Sequence, residues 1–146
     1  MIKNIKQTDI TRGWHLIDAQ NKILGRLASE IVQKLTGKNK VYYTPYLDTG
    51  DYVVVVNAQK VLLSGKKENQ KKYYRHSGFP GGLFVKTASQ LRTQKPEEIL
   101  RHAIAGMLPK TKLAKIMVKK LYVYSQADHP FGDKFANLKK TEIKNR

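Results

Sequence analysis

The sequence predicts an α/β fold organised on a parallel sheet whose strands are covered on both faces. Two stretches carry that prediction. Tyr52-Val53-Val54-Val55-Val56 sets four valines in a row after a tyrosine, and branching at Cβ suits the pleated backbone of a strand. The run does not alternate with polar residues, so neither face is expected to meet water, which is the habit of parallel strands flanked by helices. Upstream, Trp14 to Asp18 reads as a short strand, and Leu24, Leu27, Ala28, Ile31, Val32 and Leu35 recur at the spacing of one buried helical face. Strand, helix and strand in that order make a βαβ unit.

In chain order, residues 1–12 are polar and basic and read as an arm. A single domain is expected over residues 13–125, with a basic extension over 126–146. The helix from Leu24 should stop at Gly37, which supplies a left-handed end. Asp48 to Asp51 is the polar turn that sets where the valine strand begins. Val61-Leu62-Leu63 reads as a further short strand. Lys66 to Arg75 is a basic excursion with Tyr73 and Tyr74 interleaved, and His76 to Gly82 is a glycine-rich surface turn. Thr87 with Gln90 three residues on predicts a capping box for a helix over Ala88–Gln94. Pro96 suits the first position of the next helix, with Glu97 and Glu98 at its positive end. Ile99, Leu100, Ala103, Ile104, Met107 and Leu108 form its apolar stripe, and Pro109 ends it. A last helix shows Leu113, Ile116 and Met117 on one face and Lys112, Lys115 and Lys119 on another. Leu121 to Tyr124 is the last strand.

The charge balance points to a polyanion. The chain of 146 residues has 28 Lys plus Arg against 11 Asp plus Glu, a formal net charge of +17. Such an excess repels itself and attracts nucleic acid first, an anionic membrane surface second. Cysteine is absent, so disulfides and thiolate metal sites are excluded. The first residues lack an apolar h-region, and no apolar run approaches the roughly 18 residues of a membrane span. The lysine stripe of the last helix has no acidic residue interleaved, which favours a polyanion over a merely solvated face.

Catalytic signals are weak. Asp48-Thr49-Gly50 is the triplet of aspartic proteases, which need two such aspartates sharing a proton, here across a dimer. Acidic Asp51 follows it where that family has a small residue, and an α/β pattern is not the all-β protease fold. A turn with Asx hydrogen bonds is the better reading. Gly78 to Gly82 fits no phosphate-loop pattern, although exposed backbone N–H groups beside Lys72, Arg75 and His76 suit close approach of an RNA backbone. His15, His76, His102 and His129 lack metal-ligand spacing. Three are expected to be structural or on the surface, and His76 is a candidate phosphate or base contact.

The order of several segments resembles one known family. Trp14 to Asp18, Leu24-Gly25-Arg26-Leu27-Ala28, Gly37-Lys38-Asn39-Lys40, Tyr43-Thr44-Pro45, Asp48-Thr49-Gly50-Asp51 and Val56-Asn57-Ala58 are successive landmarks. His76-Ser77-Gly78, Pro80-Gly81-Gly82, Gly106-Met107-Leu108-Pro109-Lys110, Leu121 to Tyr124 and His129-Pro130 continue them. Together, over roughly residues 13–130, they resemble the thirteenth protein of the large ribosomal subunit (the L-thirteen family) in its bacterial or organelle form. Thr111 to Lys115 departs from the family's usual Gly-Pro-Leu-Gly-Arg, and the usual Ala-Gln-Pro after Pro130 is absent.

The resemblance implies a three-layer α/β/α domain with a four-stranded, mostly parallel sheet. It implies a structural constituent of the large subunit that enters assembly early and supports translation. The expected partners are large-subunit, 23S-type rRNA and neighbouring ribosomal proteins, with no catalysis, cofactor, small-molecule substrate or membrane. The location is the ribosome of a bacterial cytoplasm, with an organelle ribosome as the alternative. The candidate RNA contacts are Lys38, Lys40, Lys66, Lys67, Lys71, Lys72, Tyr74, Arg75, His76, Lys110, Lys112, Lys115 and Lys119. The resemblance strengthens Lys38, Lys40, His76 and Lys110. Two other classes stand beside this reading: the dimeric aspartic protease on Asp48-Thr49-Gly50, and a free-standing regulatory RNA-binding module.

Overall fold

The structure, a computed structural model, describes residues 6–135; the first five residues and the basic end of the extension, with Lys139, Lys140, Lys144 and Arg146, lie outside the described residues. In chain order the elements are β1 (Trp14–Asp18), α1 (Leu24–Thr36), β2 (Tyr52–Val56), α2 (Lys67–Gln70), β3 (Lys72–His76), β4 (Leu83–Thr87), α3 (Ala88–Gln94), α4 (Pro96–Met107), α5 (Lys112–Lys119) and β5 (Leu121–Val123). The valine run is the central strand of a three-stranded sheet ordered β1-β2-β5, parallel throughout, with Leu16 opposite Val54 and Val54 opposite Tyr122. Both faces of β2 are closed, and Val53 to Val56 are all buried.

Alternation along the strands divides two environments. Ile17, Val53, Val55, Leu121 and Val123 face a core completed by Leu27, Ile31 and Leu35 of α1 and Leu100 and Ile104 of α4. α1 packs on α4 and on β2, and α5 packs on α1 and β5. The opposite face is aromatic. Trp14 stacks on Tyr52 with ring centroids 4.5 Å apart, and the Tyr122 ring lies 6.0 Å from Trp14. Phe131 covers this row at 5.1 Å from Trp14 and 4.6 Å from Tyr122, and Phe135 meets Trp14 edge-on. The start of the C-terminal extension therefore completes the sheet.

The helix signals in the sequence hold. Gly37 caps α1 at φ 78°, its N–H bonded to the carbonyls of Gln33 and Lys34. Thr87 and Gln90 form the reciprocal capping box of α3, and Pro96 opens α4. Met107 and Ile116 are corrections, because both stand on outward sides of their helices and are nearly half exposed.

Two strand assignments also change. The sheet has three strands, not four, because Val61–Leu63 forms only a single parallel bridge, between Ile23 and Leu62. Helix α1 begins at Leu24, so the segment beside Leu62 is too short to extend a ladder, and the chain turns away at Gly65 with φ 62°. Conversely, the basic excursion and glycine-rich turn are an antiparallel hairpin, β3 with β4. Its connection contains the turn Phe79-Pro80-Gly81-Gly82, closed by Gly82 N–H donating to the Phe79 carbonyl at 2.9 Å, with Gly81 at φ 73°. Proline second and a positive-φ glycine third are the signature of a type II turn.

Candidate nucleic-acid interface

Asp48 and Asp51, at the entry to the central strand, are turned inward. Asp48-Thr49-Gly50-Asp51 runs between the end of α1 and the start of β2 and is held from both sides. The buried Lys120 ammonium donates to Asp48 Oδ1 at 2.6 Å and to the Gly50 carbonyl at 2.9 Å. Burial pulls the Lys120 pKa down and Asp48 pulls it back up, with a net lowering. A Cβ on Gly50 would fall 1.7 Å from the Leu35 carbonyl oxygen, so only glycine fits there. Thr49 is fully buried and donates to the Thr36 carbonyl. Asp51 accepts from Gly13 N–H at 2.8 Å, meets His15 Nε2 at 3.0 Å and pairs with Lys40. Burial raises the Asp51 carboxyl, but the His15, Lys40 and Gly13 contacts outweigh it and hold the pKa at about 2. The protease likeness ends here: the triplet's aspartate is locked under a lysine in an α/β domain.

Lys40 belongs to this clamp. Its ammonium donates to the carbonyls of Thr11 at 2.8 Å and Thr49 at 2.9 Å and to the Asp51 carboxylate. All its N–H groups are spent inside the fold, which withdraws Lys40 from the basic surface where the sequence places it.

The candidate cations of the hairpin region face out. Lys66, Lys67, Lys71, Lys72, Arg75 and His76 are exposed along α2 and β3. The one acid of this stretch, Glu68, is clamped by Arg92 through two bonds of 2.7 and 2.9 Å, and Arg92 also donates to the Gln59 and Val61 carbonyls. Among the described residues no carboxylate lies within 4 Å of Lys66, Lys67, Lys71, Lys72 or Arg75. The Lys71 ammonium sits 5.4 Å from the centre of the Tyr73 ring. Tyr73 itself is half-buried and Tyr74 is 65% exposed. His76 Nδ1 accepts from Gly78 N–H at 2.9 Å, which leaves Nε2 to carry the proton of the neutral ring and point a donor elsewhere.

A second basic surface lies on α5, where Lys112, Lys115 and Lys119 are exposed after exposed Lys110. The two surfaces are joined. A cleft of about 570 Å³ lies between the hairpin and α4, and a neighbouring one of about 530 Å³ shares Tyr74, Arg75, Glu98 and His102 with it and reaches Val118 of α5. Lys38, also exposed, lines a separate pocket with Tyr43, Pro45, Pro109 and Thr111. Phe84, Lys86 and Arg101 also line the hairpin clefts but were not singled out from the sequence. Their signal was present, since apolar Leu83-Phe84-Val85 after a Pro-Gly turn is a strand returning beside Tyr73 and Tyr74. The remaining histidines take structural posts: His15 on Asp51, His102 against Tyr73 at 5.6 Å, and His129 accepting from Phe131 N–H at 3.3 Å.

Comparison with known proteins gives the family that carries this surface. The family model for "Ribosomal protein L13" matches residues 12–130. Over 128 residues the chain is 55% identical to the large ribosomal subunit protein uL13 of Geobacter sulfurreducens, spanning 88% of this chain and 90% of that protein. It is 54% identical over 125 residues to the protein of the same name from Citrifermentans bemidjiense, spanning 86% and 88% of the two chains. The uL13 protein of Laribacter hongkongensis is 52% identical over 125 residues, with the same coverage. The match runs through the clamp, the hairpin and the α4–α5 surface alike, and this chain belongs to the ribosomal protein L13 family.

Proposed function

We propose that this chain is a structural, non-enzymatic constituent of the large ribosomal subunit, bound to large-subunit rRNA of the 23S type in the ribosome of a bacterial cytoplasm. One observation carries the geometric part: Asp48, Asp51 and Glu68 are clamped by Lys120, Lys40, His15 and Arg92, while the hairpin and α5 present cations outward. The contacts are Lys38, Lys66, Lys67, Lys71, Lys72, Tyr74, Arg75, His76, Lys110, Lys112, Lys115 and Lys119. The lysines and Arg75 neutralise phosphates, and Tyr74 and His76 stack on or bond to nucleotides. Lys40 serves the fold. The domain over residues 13–125 carries this surface, and neighbouring ribosomal proteins take part of what the RNA leaves open. Early entry into assembly is what the family resemblance implies, and the net charge of +17 is in keeping with it.

The test is a salt titration of binding to a large-subunit rRNA fragment, with Lys71→Ala/Lys72→Ala beside the parent chain. Each phosphate contact contributes about −0.7 to −0.9 to the slope of log K against log salt, so the double variant should flatten it by about one to two units. Folding stability should change by less than about 0.5 kcal/mol. Parallel slopes at equal affinity would remove the hairpin from the interface.

A further inference from the structure

We propose that the cleft between the hairpin and α4 receives a single unstacked guanine of the rRNA, with Phe84 and His102 as its walls and Glu98 reading its edge. The proposal rests on the chain being an rRNA binder and adds a site to that reading. At about 570 Å³ the cleft falls in the roughly 300–1,000 Å³ range of sites that hold small ligands. Strand register brings its elements together. Tyr73 lies opposite Lys86 and Arg75 opposite Phe84, so these four side chains share one side of the hairpin, and all four line the cleft with Glu98 and His102 of α4. His102 is steadied against the Tyr73 ring at 5.6 Å. Phe84 is 59% exposed, a large ring on a two-stranded hairpin that gains little from leaving it in water.

The charges select the occupant. Among the described residues Arg75 and Arg101 have no carboxylate within 4 Å, and Lys86 is held by Gln94 Oε1 at 2.6 Å. Glu98 is the one carboxylate lining the cleft, and among the described residues its ion-pair partner is Lys95 at 3.6 Å, itself largely exposed. A nucleotide satisfies both signs at once. Its phosphates meet the arginines, its ring lies against Phe84 and His102, and its N–H donors meet the carboxylate. Guanine fits best because N1–H and the N2 amino group lie side by side and match two carboxylate oxygens, whereas uracil offers one N–H between two carbonyls. A protein segment acidic enough for the arginines would bring its carboxylates against Glu98.

The experiment combines binding with footprinting on the full chain bound to a large-subunit rRNA fragment. Phe84→Ala should weaken binding about five- to one-hundred-fold at every salt concentration and leave the slope of log K against log salt unchanged, because stacking releases no counterions. Phe84→Tyr, which keeps the ring, should bind like the parent. One guanine protected by the parent from a glyoxal reagent that attacks N1 and N2 should become reactive with Phe84→Ala and with Glu98→Gln. It should stay protected with Lys71→Ala/Lys72→Ala. Unchanged affinity and unchanged guanine protection in Phe84→Ala would overturn the base site, while a flattened slope in the lysine variant leaves the rRNA reading standing. Equal RNA affinity with poorer incorporation into subunits would give the cleft to a neighbouring protein and overturn the proposal. A parent chain that does not bind the RNA at all would remove both.

Discussion

Asp51 shows how a residue that resembles chemistry can belong to the frame. Its carboxyl titrates at about 2 in the folded chain, against 3.8 for the free group. A carboxylate whose pKa is lowered by folding stabilises the fold fully above its unfolded pKa, and that contribution is lost as the pH falls through the folded one. The contribution, about 2 kcal/mol, is therefore complete at neutral pH and fades between about pH 4 and pH 2. Asp51→Asn cannot titrate. The parent's advantage over this variant, measured by urea unfolding, should shrink across that window, and a gap constant down to pH 2 would place the stabilisation elsewhere. The sequence identified the Asp48–Asp51 turn and disfavoured the protease while keeping it as an alternative. It did not show that Lys40 and Lys120 close over the turn: Lys120 arrives from about 70 residues away, and Lys40, though near in sequence, carries no mark of which way it points. A lysine's charge is visible in sequence, but the direction of its side chain is set by the fold.

Elements with a strong period were legible, and elements without one were not. Helix α1 declares its face through Leu24, Leu27, Ala28, Ile31 and Leu35, all of them buried. Ile31→Ala should cost about 2–5 kcal/mol, since the side chain is fully enclosed between the sheet and α4. A loss under about 0.5 kcal/mol in chemical denaturation would break the assignment of that face. The hairpin escaped notice because its residues, Tyr73 and Thr87 apart, are exposed on both sides, which leaves no buried–exposed alternation to read, and its lysines mask the strand preference of Tyr73, Tyr74 and Leu83 to Val85. Val61–Leu63 failed in the opposite way, as an apolar run short of a neighbour to pair with.

At the scale of the whole molecule, the sheet has two unlike covers. One is the helical core. The other is an aromatic row roofed by Phe131, from a segment whose contacts the family resemblance did not supply. Trp14 is the only tryptophan, so tryptophan fluorescence reports on this aromatic face and its roof. Phe131→Ala should cost about 1–3 kcal/mol through its aromatic pairs and shift the Trp14 emission to the red. An unchanged spectrum would show that the sheet face is closed without the extension. The family resemblance reached the fold class and the ribosomal role, because ordered short motifs carry both. It stopped at Pro130, where the motifs stop.

The strand order has a consequence in time. β1 and β2 come from the first part of the chain, but the other neighbour of β2 is β5, near its far end. During synthesis the N-terminal part emerges first. The valine strand is then displayed with one edge open until Leu121–Val123 follow, and a bare edge of four valines is a template on which another strand can add. The late pairing also spans a long loop, which slows its closure. Through that interval the cationic excess keeps nascent copies apart by repulsion.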